Sequence, residues 1–142
     1  MNATQHFARF AQPGSHPMSM VTAYDAPFAA LAHEAGIDVL LVGDSVANTV
    51  LGHARTGDIG MAEMLHHVGA VRRGAPEACI LADMPLGSDH GVENALRNAK
   101  ALVAAGADAV KIEGTPLDEI RALAQAGIAV CGHLGLLPQT AT

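Results

Sequence analysis

The stretch AAGADAVKIEG, residues 104–114, decides the fold. Its Ala-Gly pair ends a helix, a short turn follows, and AVKIE reads as a buried strand that closes on an acid. The same succession occurs in EAGIDVLLVGD at 34–44 and in QAGIAVCGHLG at 125–135. Each copy is the joint between a helix and the next strand. The copies are unevenly spaced, which excludes a solenoid and leaves successive βα units. Such units build a parallel sheet, closed as a barrel or doubly wound.

Working outward, strands are predicted at 18–24, 38–43, 79–83, 109–113 and 129–133. Helices are predicted at 27–35, 61–73, 92–105 and 116–126, with Pro27 and Pro116 in first turns and Gly36, Gly74, Gly106 and Gly127 as stops. Arg72 and Arg73 fall in a last turn, where cations suit the helix dipole. Residues 45–60 read as a long polar loop, and residues 1–17 as a lead-in, either poorly ordered or a short covering helix. A full (β/α)8 barrel takes about 250 residues. As a barrel, this 142-residue chain with five predicted strands would have open edges and is expected to form a homo-oligomer.

Composition narrows the function classes. Half of the residues are hydrophobic and only 3% aromatic, so aliphatic side chains must do the packing, as in helices laid on a parallel sheet. The formal net charge is −6, and no basic patch interleaved with aromatics stands out, which argues against nucleic acid. No apolar run suggests a membrane span, and the first residues do not read as a signal peptide. Cys79 and Cys131 lie in separate strands without a CxxC pair, the pattern of reduced thiols in a cytoplasmic protein. No Walker, Rossmann or GxSxG pattern occurs.

The chemistry collects at strand ends. Asp44, Asp83, Glu113 and His133 each stand where a predicted strand runs out, on the rim at which parallel α/β folds bind substrates. Alternation places Lys111 and Glu113 on one face, with Val110 and Ile112 toward the outer helices. By the same count Asp83 shares a face with Leu81 and Cys79, Asp44 with Val42 and Leu40, and His133 with Cys131. A lysine inside an apolar strand needs carboxylate partners, and three crowded carboxylates need a cation. Mg²⁺ suits such oxygen ligands. Asp44 and Asp83 are the candidate direct ligands, with Glu113 binding directly or through water. The competing reading makes both aspartates turn or cap residues.

His133 reads as a hydrogen-bond donor to a substrate oxygen. Ser45 reads either as a hydroxyl and N–H for a substrate carboxylate or as a local cap. Tyr24 and Asp25 are placed to support the rim from beneath. His66 and His67 read as surface or packing residues, and His53 is open between lining the site and the bland alternative.

The segments VTAYD (21–25), LLVGDS (40–45), HHVGAVRRGAP (66–76), LADMP (81–85), VKIEG (110–114) and CGHLGLLPQ (131–139) together resemble the ketopantoate hydroxymethyltransferase family. The resemblance implies an α/β fold, part of a (β/α)8 TIM-type barrel with about five parallel strands over residues 18–142. It implies Mg²⁺ held through Asp44 and Asp83 with Glu113 close by, and a 2-oxo acid contacted by Ser45, Lys111 and His133. The implied substrates are 3-methyl-2-oxobutanoate and 5,10-methylenetetrahydrofolate. Chelation of the keto and carboxylate oxygens would acidify C3 and steady the enolate that attacks the folate-derived methylene group. The family's general base, a Glu of the later barrel, has no counterpart in this sequence. Asp58, Gly60, Leu86, Asp89 and Leu137 depart from the usual family residues. A Mg²⁺-dependent lyase or mutase of the phosphoenolpyruvate mutase and isocitrate lyase group shares the GDS-like turn and acidic strand ends. An inactive, self-associating half-barrel is the non-enzymatic alternative.

Overall fold

One parallel sheet runs through the molecule in the order β1-β2-β3-β4-β5, with β1 at Met20–Thr22, β2 at Val39–Val42, β3 at Cys79–Asp83, β4 at Ala109–Glu113 and β5 at Ala129–His133. The structure is a computed structural model that describes residues 3–141; Met1, Asn2 and Thr142 lie outside them. The strand order never reverses. A doubly wound sheet turns back at a switch point, whereas a barrel lays each strand beside the last. The five strands are therefore part of a barrel wall. Among the described residues no helix is long and apolar enough to cross a membrane.

Helices α1 (Ala3–Ala8), α2 (Ala26–Glu34), α3 (Val46–Thr49), α4 (Met61–Gly74), α5 (Val92–Ala105) and α6 (Leu117–Gln125) complete the chain. Strands β3, β4 and β5 and helix α5 have the bounds the sequence predicts. The first strand is shorter than predicted because Ser19 turns its N–H and hydroxyl onto the Asp38 carboxylate at 2.9 and 2.8 Å. The predicted loop 45–60 carries structure: α3 is anchored by the fully buried Val46 and Ala47, and a 3₁₀ turn at Thr56–Asp58 is pinned by Arg55 to Asp58. The lead-in is a covering helix, whose Phe7 packs against the concave face.

Strand alternation separates two apolar layers. Leu40, Val42, Ile80, Ala82, Val110 and Ile112 face the helices, where they meet Met64, Val68 and Val71 of α4 and Ala99 and Leu102 of α5. Each such large side chain contributes about 1.5–3 kcal/mol when fully buried. Val39, Leu81 and Ala109 face the concave side with Leu41, Cys79, Ala129 and Cys131. Asp44 thus departs from the expected count, since Leu40 and Val42 point to the helices. The strand ends at Val42, and the turn through Gly43 swings Asp44 back toward β3, where its N–H donates to Asp83 Oδ2 at 3.2 Å.

Gly74 closes α4 against the start of α2; a Cβ there would stand 2.1 Å from the Ala26 carbonyl oxygen, so no larger residue fits without parting the helices. Strands β1 and β5 each pair on one side. Between them lies an apolar groove of about 760 Å³, lined by Phe7, Met18, Met20, Ile128, Val130 and Cys131 among others.

Asp38 ties α1, β1 and β2 together: besides Ser19 it meets Arg9 at 3.3 Å, and its carbonyl faces His6 Nε2 at 3.1 Å. The Ser19 N–H and hydroxyl, helped by His16 and Arg9, hold its carboxyl below the usual carboxylate range. A depressed acid stabilises the fold above its unfolded-state value, and that contribution disappears as pH falls through the folded-state value. Asp38→Asn is therefore expected to lower the melting temperature at pH 7, with the gap to the parent closing below about pH 4; a gap constant over that range in calorimetric scans would contradict the role given to this carboxylate.

Candidate active site

Register builds the mouth of the barrel. Asp83 and Lys111 are paired positions on β3 and β4, and Glu113 and His133 are paired positions on β4 and β5. Parallel partners stand about 4.8 Å apart with side chains on one face. Lys111 Nζ accordingly reaches Asp83 Oδ1 at 2.7 Å, and Glu113 Oε1 lies 3.3 Å from His133 Nδ1. Since Glu113 accepts there, Nδ1 carries the proton, and Nε2 then donates only from the doubly protonated ring.

Asp44 is the acid beside this pair. Burial, and next the negative charge of Asp83, push its carboxyl up to about 7, opposed by a hydrogen bond from Gln139. Two buried carboxylates face one lysine, an excess of negative charge that a cation would relieve. Neither aspartate caps its own turn. Asp83 binds Lys111 and the Asp44 N–H, while Asp44 Oδ2 accepts from Gln139 Nε2 at 2.6 Å. Among the described residues no donor other than Lys111 reaches Asp83 Oδ1.

Ser45 lies next to the acids, and its hydroxyl is 2.9 Å from the Tyr24 hydroxyl rather than capping α3. Gly43 keeps this corner open: a Cβ there would stand 3.1 Å from Ser45 Oγ and 3.6 Å from both Asp83 Oδ2 and the Tyr24 hydroxyl. Asp25 does not support the rim; its carboxylate caps α2 through the Phe28 N–H at 2.8 Å. His67 holds the Tyr24 carbonyl at 2.8 Å, whereas His66 and His53 are exposed.

Glu113 does not join the aspartates directly. It sits two residues beyond Lys111, about 7 Å along the strand, and its other oxygen accepts the Gln139 N–H at 3.3 Å. Among the described residues no three His, Cys, Asp or Glu side chains form a ready-made metal cage. The pair still suits Mg²⁺, which is usually held by one or two carboxylates and keeps water or substrate on its other positions. Gln139 is the residue that strand-end reasoning passed over; it lies in the loop after β5, and rim loops carry ligands in barrel folds. The Cys79 thiol is pushed up to about 11 and that of Cys131 is also raised, both mainly by burial, so neither offers a thiolate.

A sequence profile described as ketopantoate hydroxymethyltransferase matches residues 2–142. The chain belongs to the ketopantoate hydroxymethyltransferase family. It is 55% identical over 123 residues to the 3-methyl-2-oxobutanoate hydroxymethyltransferase of Ignicoccus hospitalis, an alignment covering 84% of this chain and 47% of that protein. Against the protein of the same name from Deinococcus radiodurans it is 52% identical over 130 residues, covering 88% and 46%. The chain thus spans about half the length of the curated relatives it matches. Among solved structures, 2,3-dimethylmalate lyase, a PEP mutase/isocitrate lyase superfamily member, aligns with a TM-score of 0.69 at 23% identity, covering 93% of this chain and 51% of that one. A phosphonopyruvate hydrolase in complex with oxalate and Mg²⁺ aligns with a TM-score of 0.72 at 19% identity, covering 93% and 52%. At that identity the likeness speaks for the barrel alone. The ketopantoate hydroxymethyltransferases are a family of transferase enzymes.

Removing one partner of a buried ion pair strands the other charge, at a cost of about 3–5 kcal/mol. Lys111→Met is expected to lose stability on that scale in urea unfolding at pH 7.5, and adding Asp83→Asn is expected to restore part of it. A Lys111→Met protein as stable as the parent would show that the pair carries no such burden.

Proposed function

We propose that this chain carries the cation and 2-oxo acid part of a ketopantoate hydroxymethyltransferase site, for transfer of a hydroxymethyl group from 5,10-methylenetetrahydrofolate to 3-methyl-2-oxobutanoate in pantothenate biosynthesis. The single observation that carries the reading is the buried Asp44 and Asp83 pair set against Lys111. Asp44 and Asp83 would hold Mg²⁺, with Glu113 acting through water. When bound, Mg²⁺ supplies Lewis-acid polarisation of the keto and carboxylate oxygens, which makes the C3 proton more acidic.

The chain's own residues bind and orient the acid. The Ser45 hydroxyl, steadied by Tyr24, is offered to the substrate carboxylate. Lys111 balances Asp83 and provides the positive charge next to the bound oxygens. His133, held by Glu113 through Nδ1, turns its other ring nitrogen to a substrate oxygen. Removal of the C3 proton also needs a base, which the family resemblance places in the later part of the barrel. The reading therefore assigns this chain binding, with turnover requiring that further group. A cytoplasmic location belongs to the same reading.

Self-association is part of the proposal, with the apolar groove beside β5 as the surface it would cover. Light scattering on the purified 142-residue chain is expected to give a mass above the 14.5 kDa of one copy, and a monodisperse single copy would count against covered edges.

For the site, calorimetry should show 3-methyl-2-oxobutanoate binding only when Mg²⁺ is present, and no binding after Asp83→Ala. Binding that ignores Mg²⁺, or that survives Asp83→Ala, would remove the reading.

A further inference from the structure

Gln139 is placed where three strand ends meet. Its carboxamide donates to Asp44 Oδ2 at 2.6 Å and to the Met84 carbonyl at 2.8 Å, and its backbone N–H donates to Glu113 Oε2 at 3.3 Å. Met84 directly follows Asp83, so one side chain joins the loops that leave β2 and β3, while its backbone joins β4. Both carboxamide hydrogens are engaged by acceptors on different loops, which fixes the amide plane. An amide fixed in this way stops the Asp44 carboxylate from turning about its terminal bond, and the Asp83 oxygen on the Asp44 N–H fixes the backbone of the same residue.

Acids that hold a metal are themselves held by outer hydrogen bonds, and loss of such a partner commonly costs about 10–100-fold in metal affinity. We propose that Gln139 is a positioning residue for the cation site: its carboxamide sets the orientation of the Asp44 carboxylate and so couples the segment after β5 to cation binding. The inference rests on the cation reading of Asp44 and Asp83.

The test is Mn²⁺ titration of the 142-residue chain, with free Mn²⁺ followed by electron paramagnetic resonance. Gln139→Met keeps the length of the side chain and removes both donors. Leu137→Ala perturbs the same segment, where Leu137 lies against Gly114, without touching the acids. Asp83→Ala reports the site itself. The expected result is binding by the parent, its loss in Asp83→Ala, a loss of affinity of about tenfold in Gln139→Met, and affinity within about twofold of the parent in Leu137→Ala. Circular dichroism spectra matching the parent show that the variants are folded. If Gln139→Met binds as the parent does, or if Leu137→Ala weakens binding equally, the amide only anchors the chain and the proposal fails while the cation reading stands. If the parent binds no Mn²⁺, or Asp83→Ala binds unchanged, the cation reading fails and takes the proposal with it.

Discussion

A lysine in the middle of an apolar strand dictates the mouth of this barrel. Lys111 cannot be buried unpaired, and the register of β3 against β4 gives it Asp83 as a neighbour. That pair would be neutral by itself. The turn after β2 then adds Asp44, whose carboxyl is pushed up to about 7 by burial and by Asp83, so that its ionised form leaves a surplus negative charge in a buried place. The protein spreads that charge over donors drawn from several loops: the Asp44 N–H onto Asp83, and the Gln139 carboxamide onto Asp44. Such an arrangement is costly for folding alone, since well-packed apolar residues would do as well or better. Its presence at the C-terminal rim is what a site for a cationic partner requires.

Much of the architecture could be read from short motifs. Helix stops at Gly106 and Gly127, followed by AVKIE and AVCGH, gave β4 and β5 with their observed bounds. Lys111 and Glu113 follow strict alternation because β4 is regular to its last residue. Asp44 does not, because β2 ends two residues before it and the intervening glycine redirects the chain. Alternation has no authority past the last ladder bond. The spacing of the three acids has a related reason. Residues at the ends of neighbouring strands share a rim, but their heights differ, and Glu113 stands one pleat above the level of Lys111. Gln139 stayed hidden because a loop glutamine has no periodicity to betray it. Asp25 serves α2 instead of the rim because a residue after a strand is also the residue before a helix, and its carboxylate caps that helix.

Family and fold similarity bear on different links of the argument. Identities above 50% to two hydroxymethyltransferases fix the family, and they extend over about half of each relative. The lyase and hydrolase structures share the fold at low identity, so they speak for the scaffold. The same scaffold explains the concave face. In a closed barrel the inward side chains fill the interior in layers; here Phe7 from α1 covers part of that face, and the groove between β1 and β5 leaves the rest open.

The most direct measurement is an anomalous-difference map from crystals of the chain grown with Mn²⁺ and 3-methyl-2-oxobutanoate. The account predicts a metal peak in contact with carboxylate oxygens of both Asp44 and Asp83, with the keto acid on its open side next to Ser45 and Lys111. A peak elsewhere, or an ordered keto acid bound at a distance from those two aspartates, would contradict it.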